Sequence, residues 1–151
     1  GGATRNTDML SFVATDNVPK AGFSLSVVME VTKGNTTGVG ALFDENVNFH
    51  QINLSGLTPN VFWDTAASGP AVSAALSANV VGKIASVYNG SVETAYTNGV
   101  PGTPVAMGGQ GANSATITIG NNAGGSPAAN ACIRFLRIYS IPLTPAQVQQ
   151  L

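Results

Sequence analysis

From Phe23 to Val31 the chain alternates. Phe23, Leu25, Val27, Met29 and Val31 fall on one side, and Ser24, Ser26 and Glu30, with Val28, on the other. Successive side chains of a strand point to opposite faces, so this run can hide its apolar side only as a strand laid on a core. A helix would scatter the same residues around its circumference. Further short runs follow at Val39–Phe43, Val47–Leu54, Val61–Thr65, Ala71–Leu76, Lys83–Tyr88, Val92–Thr97, Ala115–Ile119 and Ala131–Tyr139. Turn residues separate them: Lys33-Gly34-Asn35, Asp44-Glu45-Asn46, Thr58-Pro59-Asn60, Ser68-Gly69-Pro70, Asn89-Gly90 and Asn98-Gly99. Asn-Gly favours tight hairpins because both residues tolerate positive φ. Short strands at regular spacing predict an all-β fold, a two-sheet antiparallel β-sandwich. The alanines of 70–81 would also suit a helix, but the span is read as a strand. The segments 108–113 and 121–130 read as Gly/Asn/Ala-rich loops.

Composition narrows the function classes. Charged residues make up 9% of the 151, and the formal net charge is −1. No basic patch can neutralise phosphates, which argues against nucleic acid. No apolar run is long enough to insert in a membrane as a helix. The chain has one Cys, Cys132, and one His, His50. An intrachain disulfide is therefore excluded, and a zinc site built on His and Cys would lack ligands. The Gly1-Gly2 start reads as the opening of a module from a longer chain, and a single domain over 1–151 is expected.

One helix is signalled. Thr144-Pro145-Ala146-Gln147 has Thr at the N-cap, Pro at the first helical position and Gln three residues after the cap, a capping box. Val148 and Leu151 fall on one face and would anchor the short helix.

The stretch from Ile133 through Arg137-Ile138-Tyr139 to Leu143-Thr144, followed by that helix, resembles the closing strand of laminin-G-like, concanavalin A-like domains. Upstream, Ile117-Thr118-Ile119-Gly120 is similar to that family's strand ending in Ile-Gly. Tyr96-Thr97-Asn98-Gly99 is similar to its Tyr-x-Asn-Gly hairpin, and Lys83 to Gly90 to the strand before it. These motifs keep the family's order and span 83–151, with Phe23–Val31 as the first long strand. The resemblance implies a jelly roll with a short C-terminal helix, and carbohydrate or protein recognition. Arg134 and Phe135 stand where the family has acidic residues, and Ile141-Pro142 where it has a polar pair. No calcium site or ligand contact is carried over through those positions.

The parity of the last strand makes a separate prediction. If Leu136 and Ile138 face the core, Phe135, Arg137 and Tyr139 face outward, and Arg134 needs the rim or a bulge. The outward Phe135 and Tyr139 would be covered by the C-terminal helix or the N-terminal strand, or would form an oligomer contact.

Glycoside hydrolysis needs two carboxyl groups across the sugar. The acids are Asp8, Asp16, Glu30, Asp44, Glu45, Asp64 and Glu93, and no two are spaced to share a face of one strand. Asp44-Glu45 reads as a solvated turn and His50 as a surface or satisfied residue, so no catalytic residue is expected. Calcium could draw oxygens from Asp44-Glu45-Asn46 or Asp16-Asn17, but both also read as turns, and no cofactor is expected. Sugar binding needs an aromatic face beside amides or carboxylates. Trp63-Asp64, Tyr88-Asn89 and Tyr96 with Asn98 offer that pairing, although Trp63, Tyr88 and Tyr96 also suit a core.

The chain thus reads as a non-catalytic glycan-recognition module, extracellular or on a virion. The low charge and Gly/Asn/Thr/Ala bias suit the receptor-binding domain of a phage tail fibre or tailspike contacting a bacterial surface polysaccharide, in a homotrimer. A purely structural fibre domain and an accessory carbohydrate-binding module of a secreted bacterial enzyme are the alternatives.

Overall fold

A computed structural model describes residues 10–13, 24–34, 36–45, 50–62, 70–107, 116–121 and 129–151. Among them twelve strands precede one helix. They are β1 (Leu10–Val13), β2 (Leu25–Lys33), β3 (Val39–Asp44), β4 (Gln51–Ser55), β5 (Thr58–Phe62), β6 (Ala71–Val72), β7 (Gly82–Tyr88), β8 (Val92–Thr97), β9 (Val100–Pro101), β10 (Val105–Ala106), β11 (Thr116–Ile119), β12 (Ala131–Tyr139) and α1 (Pro145–Gln150). One sheet runs β1-β11-β3-β4-β5-β6. The other runs β10-β8-β7-β2-β12, with β9 also on β8. All pairings are antiparallel. The expected two-sheet sandwich with a short C-terminal helix is what forms.

Alternation decides what each face does. Leu25, Val27, Met29 and Val31 of β2 point between the sheets, against Phe43, Ile52, Leu54 and Val61 of the facing sheet. Side chains of this size each contribute about 1.5–3 kcal/mol when fully buried. Val28, on the opposite face of β2, joins a second cluster with Ala85, Val87 and Tyr96, covered by Leu143 and Val148 and flanked by Phe135, Tyr139 and Leu151. The outward stripe of β12 is therefore capped by the chain's own helical tail. Leu136 and Ile138 pack on the main core, and the pairing of β12 with β2 shifts register between Ile133 and Phe135. Of the two placements expected for Arg134, rim or bulge, a bulge lies there, and it leaves Arg134 exposed.

Three local expectations are corrected. Thr58-Pro59-Asn60 is not a turn: it opens β5, and the turn is Gly56-Leu57, with Gly56 at φ 59°. Pro59 sits opposite Leu54 in register. The Ser55–Thr58 pair closes the turn, so this next pair exchanges no ladder bonds and needs no N–H from proline. The strand read into 70–81 shrinks to Ala71–Val72. Asp44 and Glu45 are not solvated: Asp44 closes β3 opposite Gln51, and the two residues are 4% and 3% exposed.

Candidate functional site

The hairpin of β7 and β8 carries Asn-Gly at both ends, and the two ends are put to different uses. At the Asn89-Gly90 tip, Asn89 Oδ1 accepts from the backbone N–H groups of Ser91 (3.1 Å) and Val92 (2.9 Å). That oxygen is spent on the turn. At the far end of β8, Asn98 and Gly99 adopt φ 51° and 79°. Asn98 Oδ1 accepts from the Lys83 backbone N–H at 2.8 Å, and the Asn98 N–H donates to the Lys83 carbonyl at 2.8 Å. The carboxamide oxygen is fixed by that bond, which leaves the NH₂ group of Asn98 as its side-chain donor.

Beside Asn98 the outer face of β2 and β7 carries a cross-strand pair of opposite charge. Glu30 lies directly opposite Lys83 in register. Both side chains are half-buried, and no ion pair holds either one among the described residues. Helix α1 closes the other wall through Gln149, which stands against Gly99. A Cβ on Gly99 would lie 2.9 Å from Gln149 Cγ and 3.0 Å from its Cα, so only glycine lets the helix approach this closely. Val81 and Gly82 complete a groove of about 220 Å³. It offers one carboxylate, one ammonium and two carboxamides, which between them donate to and accept from hydroxyl groups.

The residues singled out from sequence fare differently. Asn98 lines this groove. Asn89 is exposed at the opposite end of β8, on the order of 20–30 Å away along the hairpin. Tyr88, 2% exposed, belongs to the inter-sheet core. Tyr96, 5% exposed, lies beneath α1 in the second cluster, and burial raises its phenol above the ordinary range. Neither ring presents a face to a sugar. Trp63 and Asp64 lie outside the described residues. Glu30, Lys83 and Gln149 escaped the sequence reading. The alternation of β2 sets Glu30 on the outer side, but only strand pairing brings it to Lys83.

A second polar group lies between the sheets. His50 Nε2 is 2.6 Å from Ser86 Oγ, which also bonds Glu93 Oε1. His50 is thus buried and held through Nε2 rather than a surface residue. All three are at most 1% exposed, which keeps a substrate from them in this conformation.

Among solved structures, the binding domain of botulinum neurotoxin serotype G superposes with TM-score 0.73 at 12% identity, over 94% of this chain and 39% of that one. A native heptameric SAP-like pentraxin from Limulus polyphemus gives 0.65 at 15% identity, over 87% and 70%. A Trypanosoma rangeli sialidase mutant with trans-sialidase activity gives 0.64 at 12% identity, over 85% and 22%. The chain thus spans about a fifth to two fifths of the sialidase and neurotoxin chains it matches. At these identities the likeness is one of fold. No curated protein sequence matches. The laminin G type 3 family model, described as the concanavalin A-like lectin/glucanases superfamily, matches residues 4–149, nearly the whole sandwich and its helical tail, and the chain belongs to that family.

Proposed function

We propose that the chain is a non-catalytic carbohydrate-recognition module that holds a sugar in the groove between β2, β7, β8 and α1. The observation that carries this reading is the convergence of Glu30, Lys83, Asn98 and Gln149 on one recess of about 220 Å³. Sugar hydroxyls need such a mixture of donors and acceptors on a rigid support. Glu30 is the groove's one carboxylate among the described residues, and hydrolysis with paired carboxyl groups needs two. On sequence grounds Trp63-Asp64 is proposed to add an aromatic face. The ligand class is a bacterial surface glycan and the setting a phage tail fibre or tailspike, the assignment that the low charge and Gly/Asn/Thr/Ala bias favour. Several shallow sites acting together would supply affinity.

The test is binding to an array of bacterial polysaccharides, repeated with Asn98→Ala, Glu30→Gln and Trp63→Ala. Retained far-UV circular dichroism serves as the control for folding. Binding that falls at least tenfold in Asn98→Ala and Glu30→Gln supports the groove. Binding untouched by either, or new reducing ends released from the polysaccharide, ends the reading.

A structural role in a fibre is the second reading, favoured by β1. This strand ends its sheet with Leu10, Phe12 and Val13 at 55%, 50% and 61% exposure, and an exposed apolar edge strand invites pairing with another chain. A light-scattering mass of three chains, with no glycan bound, would support it.

A further inference from the structure

The core between the sheets is largely apolar; besides the Ser73–Thr97 hydroxyl pair at 2.8 Å, His50, Ser86 and Glu93 cross it among the described residues. His50 immediately precedes β4 in one sheet, while Ser86 and Glu93 sit on the adjacent β7 and β8 of the other. The Ser86 hydroxyl joins His50 Nε2 to Glu93 Oε1 and is a hydrogen-bonded bridge from sheet to sheet. The Phe43 ring packs edge-on to His50, with centroids 5.2 Å apart. Glu93 stands opposite Tyr88 on β7 and Val105 on β10. From β2, Leu25 and Val27 lie across from Tyr88 and Ser86. Glu45, just past β3, hydrogen-bonds through its backbone N–H to the His50 carbonyl at 3.0 Å. No lysine or arginine faces the bridge among these residues. Glu93 Oε2 has no hydrogen-bond partner among the described residues.

Two proton arrangements leave such a bridge neutral: a carboxylic acid with a neutral imidazole, or a carboxylate with an imidazolium. The serine hydroxyl can donate in either direction, so both keep every link. Burial chooses the first, because it penalises each charged form. It pushes Glu93 up to about 8, against a smaller opposing effect of the Ser86 hydrogen bond, and His50 down to about 3.

We propose that the Glu93–Ser86–His50 bridge is a proton-operated latch between the two sheets, closed while the bridge carries one shared proton and loosened when solvent base removes it. Only an O–H bond breaks, and the proton leaves to water. Ser86 donates to Glu93 Oε1 and His50 Nε2–H to Ser86 both before and after that loss, so the hydrogen bonds survive. What changes is charge: an anion remains in a core with no cation to answer it among the described residues, which is the costly state. The β8 strand, whose Glu93 end meets only the two-residue β10 on its outer side, is the element released.

The test follows denaturant unfolding of the full chain from about pH 5 to about pH 9, beside Glu93→Gln and Glu45→Gln. Glutamine keeps the contact to Ser86 and cannot ionise. The wild type should lose stability as pH rises, and Glu93→Gln should remove about one proton's worth of that slope, the part extending to about pH 8. Glu45→Gln should remove the separate part that ends lower. A Glu93→Gln curve parallel to the wild type overturns the latch. If that variant fails to fold, carbon NMR titration of the wild-type Glu93 carboxyl decides instead. A midpoint near 8 supports the latch, and a midpoint in the ordinary carboxylate range overturns it.

Discussion

The Ser26 hydroxyl accepts the Leu143 backbone N–H at 2.9 Å and donates to the Ile141 carbonyl at 2.9 Å, joining residues 117 and 115 apart in sequence. Ser26 is fully buried on the outer side of β2, so this one side chain pins the tail that leads into α1. The apolar cover over Val28, Ala85 and Tyr96 depends on that tail.

Ser26→Ala should therefore cost more than a surface hydroxyl would. It leaves a buried N–H without its acceptor, a loss of about 1–3 kcal/mol. The denaturant midpoint should fall, and amide exchange at Val148 should quicken. An unchanged midpoint would show that the tail is held by its apolar contacts alone.

Gly99→Ala combines two penalties. At φ 79° a Cβ is strained, and the added carbon would meet Gln149. The left-handed conformation alone costs roughly 1–2 kcal/mol. Displacement of α1 should also weaken the proposed glycan binding, because Gln149 forms a wall of the groove. Calorimetry of unfolding and of binding checks both effects.

Thr144→Ala removes the cap of α1. Thr144 Oγ1 accepts the Gln147 N–H at 3.3 Å, and Gln147 Oε1 accepts the Thr144 N–H at 2.8 Å. Loss of an N-cap costs about 1 kcal/mol. Thr144→Ser should restore most of it, with the melting temperature as readout.

Stability should peak in mild acid. Glu45 is raised from 4.5 to about 7, first by burial and then by the Asp44 charge, and Glu93 from 4.5 to about 8 by burial. A raised carboxyl binds more protons folded than unfolded, so each contributes fully below pH 4.5 and fades as pH climbs to its folded value. His50 is lowered from 6.5 to about 3 and acts the other way: its contribution is complete above 6.5 and fades as pH falls toward 3. The three balance best near pH 4.5, where one falling slope gives way to the other. A melting temperature that rises steadily from pH 5 to pH 8 would contradict this.

What the sequence settled by itself was set by neighbours along the chain. Alternation from Leu25 to Val31 made a strand with one apolar face, Asn98-Gly99 made a tight turn, and Thr144 with Gln147 made a helix start. The parity of Leu136 and Ile138 required a rim position or a bulge at Arg134. All of these follow from short-range sterics and local hydrogen bonds. What only the tertiary structure decided was which strands lie side by side and which faces are covered. Tyr88 and Tyr96 have the same local pattern whether exposed or buried. One is sealed because the second sheet lies over it, the other because α1 does. Asp44-Glu45 looks like an open turn until the sandwich closes around it. The groove joins Glu30, Lys83, Asn98 and Gln149, and the latch joins His50, Ser86 and Glu93. Those meetings were chosen by the docking of two apolar sheet faces, a long-range burial of surface that no local pattern encodes.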